Sequence, residues 1–126
     1  MIRTSLSFAA LVGAVVALSL AGPAGAMTHP KLTGVTGPHD AFTITLKSSN
    51  GKLVKTLKAG TYTFVIHDDS SIHSFALDGP HGFAKDFTTI PFKGTKTATV
   101  TLKAGRYKYY CANHESIMFH HFGVVT

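Results

Sequence analysis

The feature that most limits the fold of this chain is a two-residue rhythm of side chains, repeated in short runs and never replaced by a helical one. Phe42, Ile44 and Leu46 alternate with Thr43, Thr45 and Lys47. Tyr62, Phe64 and Ile66 point away from Thr61, Thr63, Val65 and His67, and Ala98, Val100 and Leu102 away from Thr97, Thr99 and Thr101. Successive side chains of a strand face opposite ways, so each run reads as a strand with one face on a core. Tyr107, Tyr109 and Cys111 share a face, as do His73, Phe75 and Leu77, and a last strand is expected from about His121 to Thr126. Turn residues separate these runs: Ser48-Ser49-Asn50-Gly51 carries the Asn-Gly signal of a tight hairpin, and Asp68 to Ser71 and Asp78 to Gly82 are polar or Gly/Pro-rich. The pattern predicts an all-β chain, folded as an antiparallel sandwich or barrel.

One segment echoes another: Leu57-Lys58-Ala59-Gly60-Thr61-Tyr62 returns 45 residues later as Leu102-Lys103-Ala104-Gly105-Arg106-Tyr107. Two copies are too few for a solenoid. They mark two equivalent turns, each feeding a core strand with its tyrosine.

Residues 1–26 obey a different rule. Arg3 precedes an uncharged apolar stretch from Leu6 to Ala21, Gly22-Pro23 breaks it, and Ala24-Gly25-Ala26 supplies small residues. This is the layout of a secretory signal peptide cleaved after Ala26. The competing reading is an uncleaved anchor, which Gly22, Pro23 and Gly25 weaken. No second hydrophobic stretch reaches the roughly 20 residues a span needs. Residues 27–126 are therefore expected to form one exported or periplasmic domain, soluble or loosely tethered and monomeric.

Export makes Cys111 conspicuous, because it is the single cysteine of the chain and cannot form an internal disulfide. It stands in Tyr109-Tyr110-Cys111-Ala112-Asn113-His114-Glu115-Ser116-Ile117-Met118, where a thiol at a strand end is followed by an imidazole and then a thioether. One turn-sized loop can present all three to a point. Strand alternation aims a second imidazole, His73, at the core beside Phe75 and Leu77. Taken singly, a cysteine is a small hydrophobe, a methionine a core filler and a histidine a hydrogen-bonded surface residue. Burying His73 without a partner would cost about 1–3 kcal/mol, and a metal ion removes that cost. Two imidazoles, a thiolate and a weak thioether suit copper, since soft sulfur favours Cu(I), imidazole accepts Cu(II), and a His2Cys site with a distant Met serves both. Zinc more usually recruits four strong ligands, or three and a water. Such a site passes single electrons.

In both Ala-Gly-x-Tyr turns, the Ser71-Ile72-His73-Ser74-Phe75 segment and the ordered Cys-x2-His-x3-Met window, the chain from about Phe42 to Thr126 resembles the cupredoxins, the small blue copper proteins. The resemblance implies a Greek-key β-sandwich, a mononuclear copper site of His73, Cys111, His114 and Met118, and a His114 near the surface where electrons enter and leave. Three departures stand out. Three residues separate His114 from Met118, where the familiar short loop has four. Ser74 follows the first histidine in place of the common Asn. His120-His121 occupies the region after the methionine where a glycine is common. This pair reads as a polar start to the last strand, or else as alternative ligands or a surface copper-receiving pair. His29, His39, His67 and His81 have no spacing that joins them to the site and read as solvated.

These residues lead to an exported one-electron carrier that is not an enzyme. The alternative is a copper-binding, delivery or resistance protein, toward which His120-His121 beside Met118 would point. No phosphate-binding Gly-rich loop, Ser-His-Asp constellation or zinc knuckle is present. The chain carries 12 basic and 6 acidic residues, a net charge of +6, which becomes +5 without Arg3. Its lysines are scattered over strand faces and turns, which suits docking to an acidic redox partner protein better than binding nucleic acid.

Overall fold

The computed structural model describes residues 28–126, and the expected signal peptide lies outside them. The strands are β1 (Lys31–Thr36), β2 (Ile44–Ser48), β3 (Thr56–Lys58), β4 (Gly60–Asp68), β5 (Phe75–Asp78), β6 (Ala84–Thr88), β7 (Gly94–Leu102), β8 (Gly105–Tyr110) and β9 (Phe119–Val125). They form two sheets, ordered β2-β1-β4-β7 and β3-β9-β8-β5-β6. Short 3-10 turns lie at Pro38–Asp40, Pro80–Gly82 and Ala112–His114, and no α-helix occurs among the described residues.

The alternation in sequence becomes the inside of this sandwich. Ile44, Leu46, Tyr62, Phe64, Ile66, Val100, Leu102, Tyr107, Tyr109 and Cys111 are all buried in one core. Phe64 of β4 stacks on Phe87 of β6 with ring centroids 5.1 Å apart, joining the sheets, and Phe75 lies parallel to Tyr109 at 5.6 Å. A buried ring of this kind contributes about 1.5–3 kcal/mol by leaving water. The two echoing turns share one device. Tyr62 donates its hydroxyl hydrogen to the Lys58 carbonyl at 2.7 Å, and Tyr107 does the same to Lys103 at 2.9 Å while also accepting the Lys103 N–H at 3.0 Å.

Several features differ from the sequence-based expectation, each for a physical reason. The sandwich is not purely antiparallel: β1 pairs parallel with β4, and β3 with β9. Parallel neighbours need a crossover, and here the chain leaves the first sheet after β2, visits the second as β3, and returns as β4. The Asn50-Gly51 turn forms, with Gly51 at φ +80, but only the Lys47–Leu53 bridge continues the ladder before the chain departs. Strand β1 carries little apolar alternation because its inward residues are Leu32, Gly34 and Thr36. A side chain at Gly34 would meet Ile66 Cδ1 at 2.5 Å and Phe75 Cε2 at 2.8 Å, so closeness of the sheets replaces hydrophobicity there. Strand β6, Ala84-Lys85-Asp86-Phe87-Thr88, was likewise hidden by its polar residues, and β9 begins two residues earlier than expected.

Candidate metal centre

Three segments meet at one end of the sandwich. Polar Asp68 to Ser71 ends β4, and the chain turns so that His73 and Ser74 lead into β5. Cys111 ends β8 and starts the 3-10 turn Ala112–His114. The loop then closes on itself: the His114 carbonyl accepts the N–H groups of Ile117 at 3.0 Å and Met118 at 2.8 Å, and the Cys111 N–H reaches the Met118 carbonyl at 3.0 Å. This tight closure accommodates the three-residue spacing between His114 and Met118 and returns Met118 to the core, where it is buried alongside Cys111.

His73, Cys111 and His114 each present one ligand atom, all within 4.8 Å of one another. The His73 and His114 Nδ1 atoms are 3.2 Å apart, and the Cys111 sulfur lies 3.8 Å from the first and 3.6 Å from the second. An ion with bonds of about 2.0–2.1 Å to nitrogen and 2.3 Å to thiolate, in a trigonal plane, would space its nitrogens about 3.5 Å apart and each nitrogen about 3.8 Å from sulfur. The observed triangle fits that arrangement. His73 and Cys111 are fully buried and His114 is half-buried.

The surroundings prepare these donors. The His73 Nε2–H donates to the Asp40 carbonyl at 3.3 Å, which assigns the proton to Nε2 and leaves the Nδ1 lone pair facing the other donors. Ser74 ties β5 to the Cys111 loop by three contacts. Its N–H points at the Cys111 sulfur from 3.4 Å, its hydroxyl lies 3.8 Å from that sulfur, and the same oxygen accepts the Ala112 N–H at 3.1 Å. Thr36 holds Ser74 from behind through its carbonyl at 3.1 Å.

Phe42, expected as an inward residue of a strand, precedes β2 and is 52% exposed. Its ring stands edge-on to both imidazoles, with centroids 4.9 Å from His73 and 4.8 Å from His114. An exposed phenylalanine at a strand start carries no sequence signal for this role, and neither does the Asp40 carbonyl, since both depend on a loop folding back over the site.

His120 and His121 stand apart from this group, exposed on β9 opposite Tyr109 and Lys108, in keeping with a polar start to the last strand. Desolvation, then the charges of Arg106, Lys108 and His120, hold the His121 imidazole below its usual value. His67 bonds the Thr95 hydroxyl at 3.1 Å. His39 and His81 occupy matching left-handed positions, φ +55 and +58, in the two Gly-Pro-His turns.

Two mixed β-sheets closed over a core, with a Cys-His-Met loop at one end, define the cupredoxin fold. Among solved structures, the chain is similar to reduced rusticyanin, with 18% identity over 75% of this chain and 77% of that chain and a TM-score of 0.52. A second rusticyanin structure, described as that of a copper protein, matches with 16% identity over 76% of each chain and a TM-score of 0.50. At such identities the likeness is one of fold. No family model and no curated protein matches the chain. Among the described residues no helix is long and apolar enough to cross a membrane.

Proposed function

We propose that the protein is an exported one-electron carrier that holds a single copper ion through His73, Cys111, His114 and, as a weak axial donor, Met118. The observation that carries this reading is the convergence of two imidazole nitrogens and one thiol on a common point, with spacings suited to a trigonal ion. Bound there, copper supplies a Cu(II)/Cu(I) couple, and this ligand set tolerates both states.

The chain's own residues do the rest. Asp40 and Ser74 hold the donors in place, so electron uptake or loss asks little rearrangement of them. Phe42 covers both imidazoles and keeps water from their edges. His114, half-buried at the rim, offers the shortest route between the buried sulfur and a docked partner. Exposed Phe42, Ile72 and Ile117, all on the loops that bring the donors together, suit the dry centre of a transient interface. The basic charge favours a partner with an acidic face.

A copper-delivery role is the second reading, favoured by the exposed His120 and His121 that follow Met118. Copper(II) titration followed by visible and electron paramagnetic resonance spectra separates the two. The carrier reading expects an intense thiolate-to-copper band, lost in Cys111→Ser, and reversible redox cycling. Colourless copper that passes readily to a chelator would sink it in favour of delivery.

A further inference from the structure

Two consecutive non-glycine residues, His39 and Asp40, adopt left-handed conformations, φ +55 and +60, and Pro38 separates them from Gly37 at +64. Backbone in this region persists only where its surroundings hold it. Backbone bonds close this turn, from the Asp40 N–H to the Gly37 carbonyl and from the Ala41 N–H to the Pro38 carbonyl, both at 3.0 Å, and one side-chain bond ties it to a distant segment: the Ser70 hydroxyl donates to Asp40 Oδ1 at 2.7 Å, across a chain separation of thirty residues.

Ser70 is fully buried, and each of its polar groups is engaged. Its N–H donates to Asp68 Oδ1 at 3.2 Å, and its hydroxyl oxygen accepts the Ile72 N–H at 3.3 Å. Its carbonyl accepts the His73 N–H at 3.3 Å. The residue therefore reaches His73 twice. One route is direct, to the backbone; the other runs through the Asp40 side chain to the Asp40 carbonyl, which receives the His73 Nε2–H at 3.3 Å. The contact leaves no slack, because a side chain at Gly37 would meet Ser70 Cβ at 2.6 Å and His73 Cδ2 at 2.7 Å.

We infer that Ser70, acting through the Asp40 carboxylate, is the positioning residue of His73: it holds the Asp40 carbonyl where it selects the Nε2–H tautomer and so keeps Nδ1 open toward Cys111 and His114. Only the copper-release arm of the test below rests on the reading of His73 as a copper ligand.

The test uses nitrogen-15 NMR on the metal-free protein and, separately, the rate at which bound copper passes to a chelator. In the native protein His73 is expected as a single Nε2–H tautomer with a slowly exchanging ring proton. Ser70→Ala removes the donor, and Asp40→Gly removes the acceptor while relieving the left-handed strain. Both should give mixed tautomers, lost protection and copper release about tenfold faster or more, whereas Asp40→Asn, which keeps an oxygen acceptor, should restore native behaviour. Asp40→Gly sets positioning against simple stabilisation, because glycine is at ease in that backbone region. If both loss variants fold and keep a single protected Nε2–H tautomer, the inference is overturned. A native protein that takes up no copper defeats the proposed function, while the tautomer measurement still decides the role of Ser70.

Discussion

The N–H of Ser74 points at the Cys111 sulfur from 3.4 Å, while the hydroxyl of the same residue lies 3.8 Å from it. Both contacts draw electron density from the sulfur. Ser74→Ala keeps the first and removes the second, leaving the thiolate a stronger donor to Cu(II). A hydrogen bond of about 0.5–1.5 kcal/mol corresponds to roughly 20–60 mV for a one-electron couple, taking ~59 mV per tenfold change in equilibrium constant. The reduction potential should fall by that amount in voltammetry. An unchanged or higher potential would remove the hydroxyl from the account.

Met118 is buried in the core beside Cys111. Met118→Leu conserves volume and should cost less than about 1.5 kcal/mol of stability. As the weakest donor, the thioether tunes the couple more than it holds the ion, so its loss should leave the colour in place and shift the potential. A variant that folds yet binds no copper would show Met118 to be a principal ligand instead.

Asp68 is buried at the end of β4, and its Oδ2 has no hydrogen-bond partner. Burial pushes its carboxyl above the usual 3.8, and Asp69 adds to this, while hydrogen bonds from Thr88 and the Ser70 N–H oppose it. In the window between 3.8 and the folded value, the folded state binds more protons than the unfolded one. The stabilisation from this proton is complete below 3.8 and is lost as pH rises through the folded value. Asp68→Asn should flatten that part of the profile in denaturant titrations of the metal-free protein run at several pH values. A slope identical to that of the native protein would contradict the assignment.

The two echoing tyrosines are unequal. Tyr107 makes two hydrogen bonds to Lys103, and Tyr62 makes one to Lys58. At about 1 kcal/mol for each bond lost, Tyr107→Phe should cost roughly twice as much as Tyr62→Phe. For a domain of this size, each kcal/mol shifts the midpoint by about 4–8 °C. Thermal unfolding of the two variants, followed by circular dichroism, decides the order, and an equal or larger loss in Tyr62→Phe would count against this reading.

Strands whose inward residues are large and apolar, such as Tyr62-Phe64-Ile66 and Tyr107-Tyr109-Cys111, were legible because burial of those side chains and the two-residue period coincide. Strand β1 was not, because Gly34 and Thr36 face inward and the contact made there is one of closeness, with Ile66 and Phe75 filling the space a side chain would take. The candidate site divides in the same way. Cys111, His114 and Met118 share one loop, and His73 has a side chain whose burial needs a partner. Phe42, Asp40 and Ser70 act through an edge-on ring, a backbone carbonyl and a buried hydroxyl, and none of these has a pattern along the chain.

Local chemistry thus determined the strands with a wet and a dry face, the paired Ala-Gly-x-Tyr turns and a donor set of two imidazoles, a thiol and a thioether. Each of these is a property of neighbouring residues. Only the tertiary structure decided that β1 runs parallel to β4, that Ser74 faces the Cys111 sulfur, and that the Pro38–Asp40 turn reaches the His73 ring. Those contacts join residues some thirty or more positions apart, and where two distant segments meet is settled by the packing of the two sheets.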